Sequence, residues 1–198
     1  MGYFDVDDVL ADAVEVPCKF QLEVAQVGFL AGQPGESVAR NSKLELPLWL
    51  ARILAIVGAG DGEGDGDGDT PFVELLPPDT FAARVMNAVK ADPVALDLHA
   101  VSPYFYALAV KWVNLFSDAE LGETVARLLL ARAQEINSNA ANVTLVERTL
   151  DDLAGPLASR QNGVHHSSPF MLTMDEWEKT VYKEAHEAYR DSKKWLLQ

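Results

Sequence analysis

The stretch Ser102-Pro-Tyr-Phe-Tyr-Ala-Leu-Ala-Val-Lys-Trp-Val-Asn-Leu-Phe116 decides the fold class. Its apolar residues recur at helical spacing, at Phe105, Leu108, Ala109, Trp112, Val113 and Phe116. The opposite face also carries large apolar or aromatic side chains, at Tyr104, Tyr106, Val110 and Leu115. A helix that is apolar on nearly all sides must be covered on nearly all sides. The stretch therefore predicts either the central helix of a bundle or a helix that contacts another subunit.

Helical signals continue on both sides of this stretch. A short helix is predicted over Thr80–Lys90, and Asp92-Pro93 reads as an N-cap followed by proline in the first turn of another. Ser117-Asp-Ala-Glu120 matches a capping box. The helix that follows this box has a predicted buried stripe at Leu121, Val125, Leu128, Leu129 and Ile136. The chain after residue 77 is therefore predicted to be helical.

A last helix is predicted from Pro169 to about Trp195. Its apolar positions are Met174, Trp177, Val181, Ala185 and Ala188. Opposite charges at helical spacing predict surface pairs at Asp175/Lys179, Lys183/Glu187 and Asp191/Lys194. At 1.5 Å per residue such a helix would be about 40 Å long, so its ends should project or pack on a neighbouring subunit.

The first part of the chain has strand signals instead. Val16–Val24 predicts a half-buried strand with Cys18, Phe20, Leu22 and Val24 on one face. Gly28–Leu30 and Phe72–Leu76 also predict strands, and Pro47–Val57 predicts a helix. The expected fold class is α+β, mainly an α-helical bundle preceded by a small β-containing domain. The expected domains are 1–77, with one helix and an acidic Gly/Asp loop, and 78–198, which is helical.

Composition excludes several classes of function. The chain has 198 residues and a formal net charge of -14, from 16 basic and 30 acidic residues. That balance argues against direct binding to a nucleic-acid backbone or to an anionic membrane surface, because both require excess Lys and Arg. No apolar run is long enough to suggest a transmembrane helix. The single cysteine, Cys18, cannot form an internal disulfide, which favours a reduced intracellular compartment.

The acidic segment Asp61-Gly-Glu-Gly-Asp-Gly-Asp-Gly-Asp69 approximates a calcium-binding loop. It lacks the flanking helices of an EF-hand, because Phe72–Leu76 after it has a strand pattern. A solvated linker is therefore the preferred interpretation. An acidic-loop calcium-binding protein is kept as an alternative function.

No motif for catalysis is found. The four histidines lack zinc-ligand spacing, and neither a nucleotide-binding glycine loop nor a G-x-S-x-G motif is present. Cys18 lies on the apolar face of a predicted strand, which favours a buried, inert thiol. We therefore expect no enzyme activity, catalytic residue, metal or cofactor. A small intracellular enzyme with an unrecognised site is kept as a second alternative.

The helical part is rich in large aromatic residues, which are common both in cores and at protein interfaces. The surplus favours a binding or scaffold subunit over an enzyme. The residues predicted to contact a partner are Trp112, Phe116, Trp177, Tyr189 and Trp195. A role in the chain's own core is the open alternative for each.

Several separate blocks of sequence resemble one family. They are Met1–Asp12, Pro17–Gln21, Lys43–Ala51, Asp92–His99 and Glu178–Trp195. The chain is similar to the Psf-three family of the eukaryotic GINS complexes, in its fungal version, over nearly its whole length.

The resemblance implies a fold, partners and a location. Family members are non-catalytic subunits of a heterotetramer, and each subunit has a helical A domain and a small β-rich B domain. In this family the B domain comes first. The implied partners are the three other GINS subunits, together with the Mcm hexamer and Cdc-forty-five in the CMG replicative helicase of the nucleus. ATP hydrolysis belongs to the Mcm ring, so no nucleotide site is expected here.

Overall fold

A computed structural model describes residues 5–32, 34–59, 70–143 and 169–197. The chain divides into two compact units, Met1–Val85 and Met86–Gln198. The first contains a small antiparallel sheet and the second is helical, which confirms the predicted α+β fold class. The border between the units falls within the helix Ala83–Ala91, downstream of the predicted domain boundary at residue 77. The acidic segment Asp61–Asp69 lies outside the described residues.

The first unit is built on a three-stranded sheet in which the strand β1 Glu15–Phe20 lies between β2 Lys43–Pro47 and β5 Val73–Leu75, and both pairings are antiparallel. Its elements are α1 Val6–Asp12, β1 Glu15–Phe20, the 3-10 turn Gly28–Ala31, β2 Lys43–Pro47, α2 Leu48–Ile56, β3 Gly58–Ala59, β4 Thr70–Pro71, β5 Val73–Leu75, the 3-10 turn Asp79–Phe81 and the start of α3 Ala83–Ala91. The short strands β3 and β4 pair with each other.

The central strand β1 alternates as predicted but is shorter than expected. Val16, Cys18 and Phe20 are buried, because side chains two apart share one face of a strand. The strand ends at Phe20, and Val24 forms only an isolated bridge with Val38.

One other expectation for this unit is wrong, and one strand was missed. Gly28–Leu30 belongs to a 3-10 turn rather than a strand, because the backbone turns there and Gly32 closes it with a positive φ of 75°. The strand β2 Lys43–Pro47 was not predicted, and its last residue, Pro47, was expected to begin the helix that follows. Pro47 is the N-cap of α2.

The described residues of the second unit form helices. They are the end of α3, α4 Leu98–Val101, α5 Phe105–Phe116, α6 Ala119–Ala141, α7 Pro169–Leu172 and α8 Glu176–Leu196. The side chains of α5 that face the interior are Phe105, Tyr106, Leu108, Ala109 and Trp112. No helix among the described ranges is both long and apolar enough to cross a membrane.

Two predicted helix starts are displaced. Asp92 accepts hydrogen bonds from the backbone N–H groups of Val94 and Ala95, but it caps a turn, and the next helix is capped by Asp97 instead. Ser117 is not an N-cap, because it ends α5 in the left-handed conformation with a φ of 53°. Its neighbour Asp118 caps α6 by accepting from the N–H of Leu121 at 3.0 Å.

The predicted continuous helix from Pro169 to Trp195 is wrong. A turn at Thr173 separates α7 from α8, because the hydroxyl and the N–H of Thr173 both donate to the carbonyl of Phe170. The longer part, α8, has 21 residues and is therefore about 31 Å long. The predicted surface pair Asp175/Lys179 is also wrong, since Asp175 is fully buried and Lys179 pairs with Glu176 at 2.7 Å.

The helices α6 and α8 run side by side in the same direction. Arg132 contacts Glu178, and further along both helices the His186 ring lies 3.3 Å from the carbonyl of Ala140. Three of the predicted stripe residues on α6 are buried, namely Leu121, Leu128 and Ile136, while Val125 and Leu129 are half-buried. Ile136 forms a core cluster with Phe170 and Met174, against which Val94, Met171, Val181 and Tyr182 pack.

Candidate protein–protein interface

The second unit has a buried ion pair near its centre. Nε and Nη2 of Arg132 on α6 donate to Oε1 and Oε2 of Glu178 on α8, at 2.7 and 2.8 Å. Both side chains are 0% exposed. The Arg132 guanidinium also lies over the ring of Phe170, 4.7 Å from its centroid. A bidentate pair of this kind fixes the register of α6 against α8.

Arg132 also donates hydrogen bonds to the backbone of two turns that lie outside the helices. Its Nη1 and Nη2 atoms donate to the carbonyl groups of Pro93, Val94, Leu96 and Thr173 at 3.0 to 3.3 Å. These carbonyls lie in the turn before α4 and in the turn between α7 and α8. Because buried carbonyl groups need donors, one guanidinium satisfies two turns that no helix could satisfy.

Asp175 joins the start of α8 to the start of α5. One of its oxygens accepts from the N–H of Glu178 at 2.8 Å, and the other accepts from the N–H of Tyr106 at 3.3 Å. Burial raises the pKa of Asp175 to about 6, although both hydrogen bonds act to lower it. The Tyr106 hydroxyl in turn donates to Oε1 of Glu178 at 2.9 Å, and burial raises the pKa of this tyrosine well above its usual range.

This network fixes an exposed tryptophan. Trp177 lies between Asp175 and Glu178 in the chain, and its ring meets the ring of Tyr106 edge-on, with centroids 5.6 Å apart. Nearly half of Trp177 (47%) remains exposed. Val110, one turn after Tyr106 on α5, is exposed to the same degree. A large ring held on a rigid support, with its outer side uncovered, is the usual form of an interface anchor.

The end of α5 separates two predicted contact residues. Trp112 is only 5% exposed, and its ring packs against Phe116 with centroids 4.5 Å apart. Phe116 is 47% exposed, and Leu115 beside it is exposed as well. The surface at this end of α5 is therefore Phe116 and Leu115, while Trp112 packs against Phe116 from within.

The last turns of α8 carry a third exposed group. Trp195 is 73% exposed, and Leu196 and Leu197 after it are equally open. Tyr189, two turns earlier, is half-buried, and its hydroxyl donates to the side-chain oxygen of Asn137 at 2.7 Å. The described part of the chain thus places Trp177 and Trp195 at different positions along one helix.

Two further groups with shifted pKa values, Cys18 and Glu176, are explained by burial and by a surface ion pair. Cys18 is fully buried in the sheet of the first unit, and burial raises the pKa of its thiol to about 11, so the thiolate is scarce at neutral pH. Within the described ranges no three His, Cys, Asp or Glu side chains are placed to hold a metal ion. Near the start of α8, Glu176 forms an ion pair with Lys179, and hydrogen bonding to Lys179 lowers the pKa of Glu176.

Sequence reasoning missed the Arg132–Glu178 pair. Its signal was present, because Arg132 falls four residues after Leu128 and four before Ile136, within the predicted buried stripe of α6. A charged residue inside an apolar stripe calls for a buried partner of opposite charge.

Comparison with known proteins shows the class of protein to which this chain belongs. A family model described as the GINS complex protein helical bundle domain matches residues 80–197. It covers the end of the first unit and almost all of the second, including α5, α6 and α8. The chain is therefore a GINS-type helical bundle protein with a β-containing unit before the bundle.

A second family model and the relatives narrow the class to one family. The model described as the PSF3 N-terminal domain matches residues 4–56. Proteins named "DNA replication complex GINS protein PSF3" are 49% identical in Saccharomyces cerevisiae, over 100% of this chain and 99% of the relative, and 46% identical in Kluyveromyces lactis, over the same shares. The Aspergillus fumigatus relative of that name is 32% identical over 98% of this chain and 96% of its own length. The chain belongs to the PSF3 family of GINS complex proteins, which confirms the resemblance identified from the sequence.

Proposed function

We propose that this chain is the non-catalytic PSF3-type subunit of a GINS heterotetramer that acts in DNA replication. The observation that carries the proposal is the match along the whole chain, with a PSF3-specific model at the N-terminal end and the GINS bundle model after it. We assign residues 1–77 as the B domain and residues 78–198 as the A domain. The partners are the three other GINS subunits.

The proposal extends to the replicative helicase. In this assignment the heterotetramer joins the Mcm hexamer and Cdc-forty-five in the nucleus, and this chain supplies contacts rather than chemistry. The net charge of -14 supports a scaffold role, because a subunit that gripped DNA through its backbone would need an excess of Lys and Arg.

The exposed rings on the helical unit are the proposed contacts with the other subunits. Trp177, Trp195 and Phe116 are each about half exposed or more. Trp177 is the strongest of them, since the buried network around Glu178 holds it in place before a partner binds. Preorganised aromatic side chains bind tightly because little conformational entropy is lost. Tyr189 lies on the same helix as a half-buried, hydrogen-bonded flank. Trp112 contributes through Phe116.

The test is co-expression of this chain with the three other GINS subunits of its own species. Trp177→Asp introduces a charge on the exposed ring position, and we expect it to weaken the affinity of the chain for the other three subunits at least tenfold, which corresponds to about 1.4 kcal/mol and lowers recovery of the four-chain complex. The matched control is Ala126→Asp, which places the same charge on an exposed position of α6.

The outcomes distinguish the proposed function of the chain from the proposed role of Trp177 in its interface. Failure of the wild-type chain to co-purify with the three subunits would overturn the proposed function. Recovery of the Trp177→Asp complex at the level of Ala126→Asp would retain the function but remove Trp177 from the interface. The circular dichroism of both variants must match the wild type for either result to count.

A further inference from the structure

The two exposed tryptophans of α8 lie on one line along the helix. Trp177 and Trp195 are 18 positions apart, and α8 is continuous between them. Because 18 residues make about five full turns of an α-helix, the two side chains leave α8 on the same side, about 27 Å apart. A single straight partner can therefore contact both rings.

The residues between the two rings follow a heptad pattern. We name as the α8 seam the positions that are separated alternately by four and three residues, namely Trp177, Val181, Glu184, Ala188, Asp191 and Trp195. Val181 is half-buried against the core cluster of the unit, and the other five are exposed. Alternate spacing of four and three is the pattern by which one helix packs along another over several turns. The seam therefore favours a helix as its partner.

The charged residues of α8 are divided between two sides of the helix. Glu184 and Asp191 belong to the seam, and Glu187 lies beside it. The basic residues of α8 all lie at least about 100° round the helix from the line of the tryptophans; they are Lys179, Lys183, Arg190, Lys193 and Lys194. The side of α8 that carries the two rings is therefore acidic.

This row of carboxylates lacks a strong counter-charge. Like charges three and four residues apart on a helix repel, as Glu184, Glu187 and Asp191 do. Lys194 reaches Asp191 at 3.5 Å, but both side chains are more than half exposed, so this pair is weak. Glu184 has no ion pair within the described ranges. A partner with Lys or Arg opposite the row would relieve the repulsion, whereas a second copy of the chain would add carboxylates to it.

We propose that the α8 seam binds one helix of another subunit of the GINS heterotetramer. That helix is about five turns or longer, places apolar residues against Trp177 and Trp195, and carries Lys or Arg opposite Glu184 and Asp191. The inference rests on the proposed function and adds to it the chemistry of the partner. The two tryptophans then belong to a single contact rather than to two.

Photo-crosslinking tests whether one helix contacts both rings. Benzoylphenylalanine, an aromatic amino acid that crosslinks to neighbouring C–H bonds under ultraviolet light, replaces Trp177 in one sample of the four-chain complex and Trp195 in another. Mass spectrometry should find both adducts in the same subunit, at positions about 18 residues apart in one helix. The same replacement at Leu130, an exposed apolar position on α6, should give no adduct in that helix.

Charge reversal tests whether the partner is basic. Glu184→Lys should weaken the affinity of the chain for the other three subunits at least tenfold, whereas the same change at exposed Glu123 on α6 should leave it unchanged. Because Glu184→Lys removes the repulsion with Glu187, the unfolding free energy of the free chain should not fall. If the circular dichroism nevertheless changes, Glu184→Gln decides, since it removes only the charge and should flatten the salt dependence of the affinity.

The outcomes separate this inference from the function on which it rests. A wild-type chain that does not co-purify with the three subunits would overturn both. In an assembled complex, adducts to two different subunits, adducts to a second copy of this chain, or unchanged affinity in Glu184→Lys would overturn the inference alone. Equal loss of affinity in Glu184→Lys and Glu123→Lys would do the same, because the effect would then follow net charge rather than the seam.

Discussion

Replacing Arg132 with methionine tests the centre of the helical unit. Methionine keeps much of the volume of the side chain but removes the charge and every donor. In Arg132→Met, Oε2 of Glu178 loses its hydrogen bond at 2.8 Å, while Oε1 keeps only the Tyr106 hydroxyl. The carbonyl groups that Arg132 satisfies lose that donor as well. The variant therefore leaves a buried carboxylate without its counter-charge.

The magnitude follows from burial. Removing one partner of a buried ion pair costs about 3–5 kcal/mol, and an unsatisfied buried carbonyl costs about 1–3 kcal/mol more where water cannot reach it. These costs are not additive, so we expect a loss of at least about 4 kcal/mol in the free energy of unfolding. With a urea m-value of about 1.5 kcal/mol/M, the unfolding midpoint should fall by about 2.7 M or more.

The assay is urea unfolding of the full chain at sub-micromolar concentration, followed by far-ultraviolet circular dichroism. The double variant Arg132→Met/Glu178→Met should be more stable than Arg132→Met by at least about 1 kcal/mol, because it removes the orphaned charge. The control is Lys90→Met, which breaks the exposed pair with Glu120 at 3.1 Å and should cost less than about 1 kcal/mol. A single variant within 1 kcal/mol of the wild type, or a double variant no more stable than the single one, would refute this account of the core.

Three further outcomes are expected. Asp175 has a pKa of about 6 in the folded chain against an ordinary value of 3.8, so the folded state holds this proton more tightly and the contribution of Asp175 to stability falls as pH rises through 6. The stability of the wild type relative to Asp175→Asn, measured by urea unfolding, should therefore fall by about 2–3 kcal/mol between pH 4 and pH 7. Gly122→Ala should raise the unfolding free energy by up to about 1 kcal/mol, because the new methyl group would meet Val113 at an ordinary contact distance of 3.6 Å; a loss of stability would show that this helix contact is tighter than described. Cys18 should react with a thiol reagent at pH 8 far more slowly in the native chain than in urea, and equal rates would contradict its burial.

Periodicity predicted the elements whose packing is strongest. The α5 helix was evident because its apolar residues recur over three turns, and β1 because apolar residues alternate from Cys18 through Phe20 to Val24, although the strand ends at Phe20. Helix ends were less certain, since Ser117 and Asp118 are both good N-caps and only the left-handed φ of Ser117 decides between them. Local pattern cannot decide such a choice, because it depends on how the chain turns between α5 and α6.

The candidate interface was predictable only in part. A helix that is apolar on nearly every side does not reveal which ring points inward, so Trp112 and Phe116 could not be distinguished from sequence. The break between α7 and α8 was hidden for a related reason. Asp175 and Lys179 have the spacing of an exposed ion pair, but the carboxylate turns inward to accept from Tyr106, which is 69 residues earlier in the chain. Contacts over such separations leave no periodic signal.

The long separations within the Arg132 network also constrain how the subunit is made. Arg132 is synthesised 46 residues before Glu178, and the turn at Pro93 is synthesised earlier still. In a nascent chain that has not reached α8, Arg132 has no Glu178 to pair with in the core of the helical unit. The bundle therefore cannot be completed at that stage. Completion of the bundle therefore requires translation through α8, so we expect a product truncated before Glu178 to be open to proteolysis.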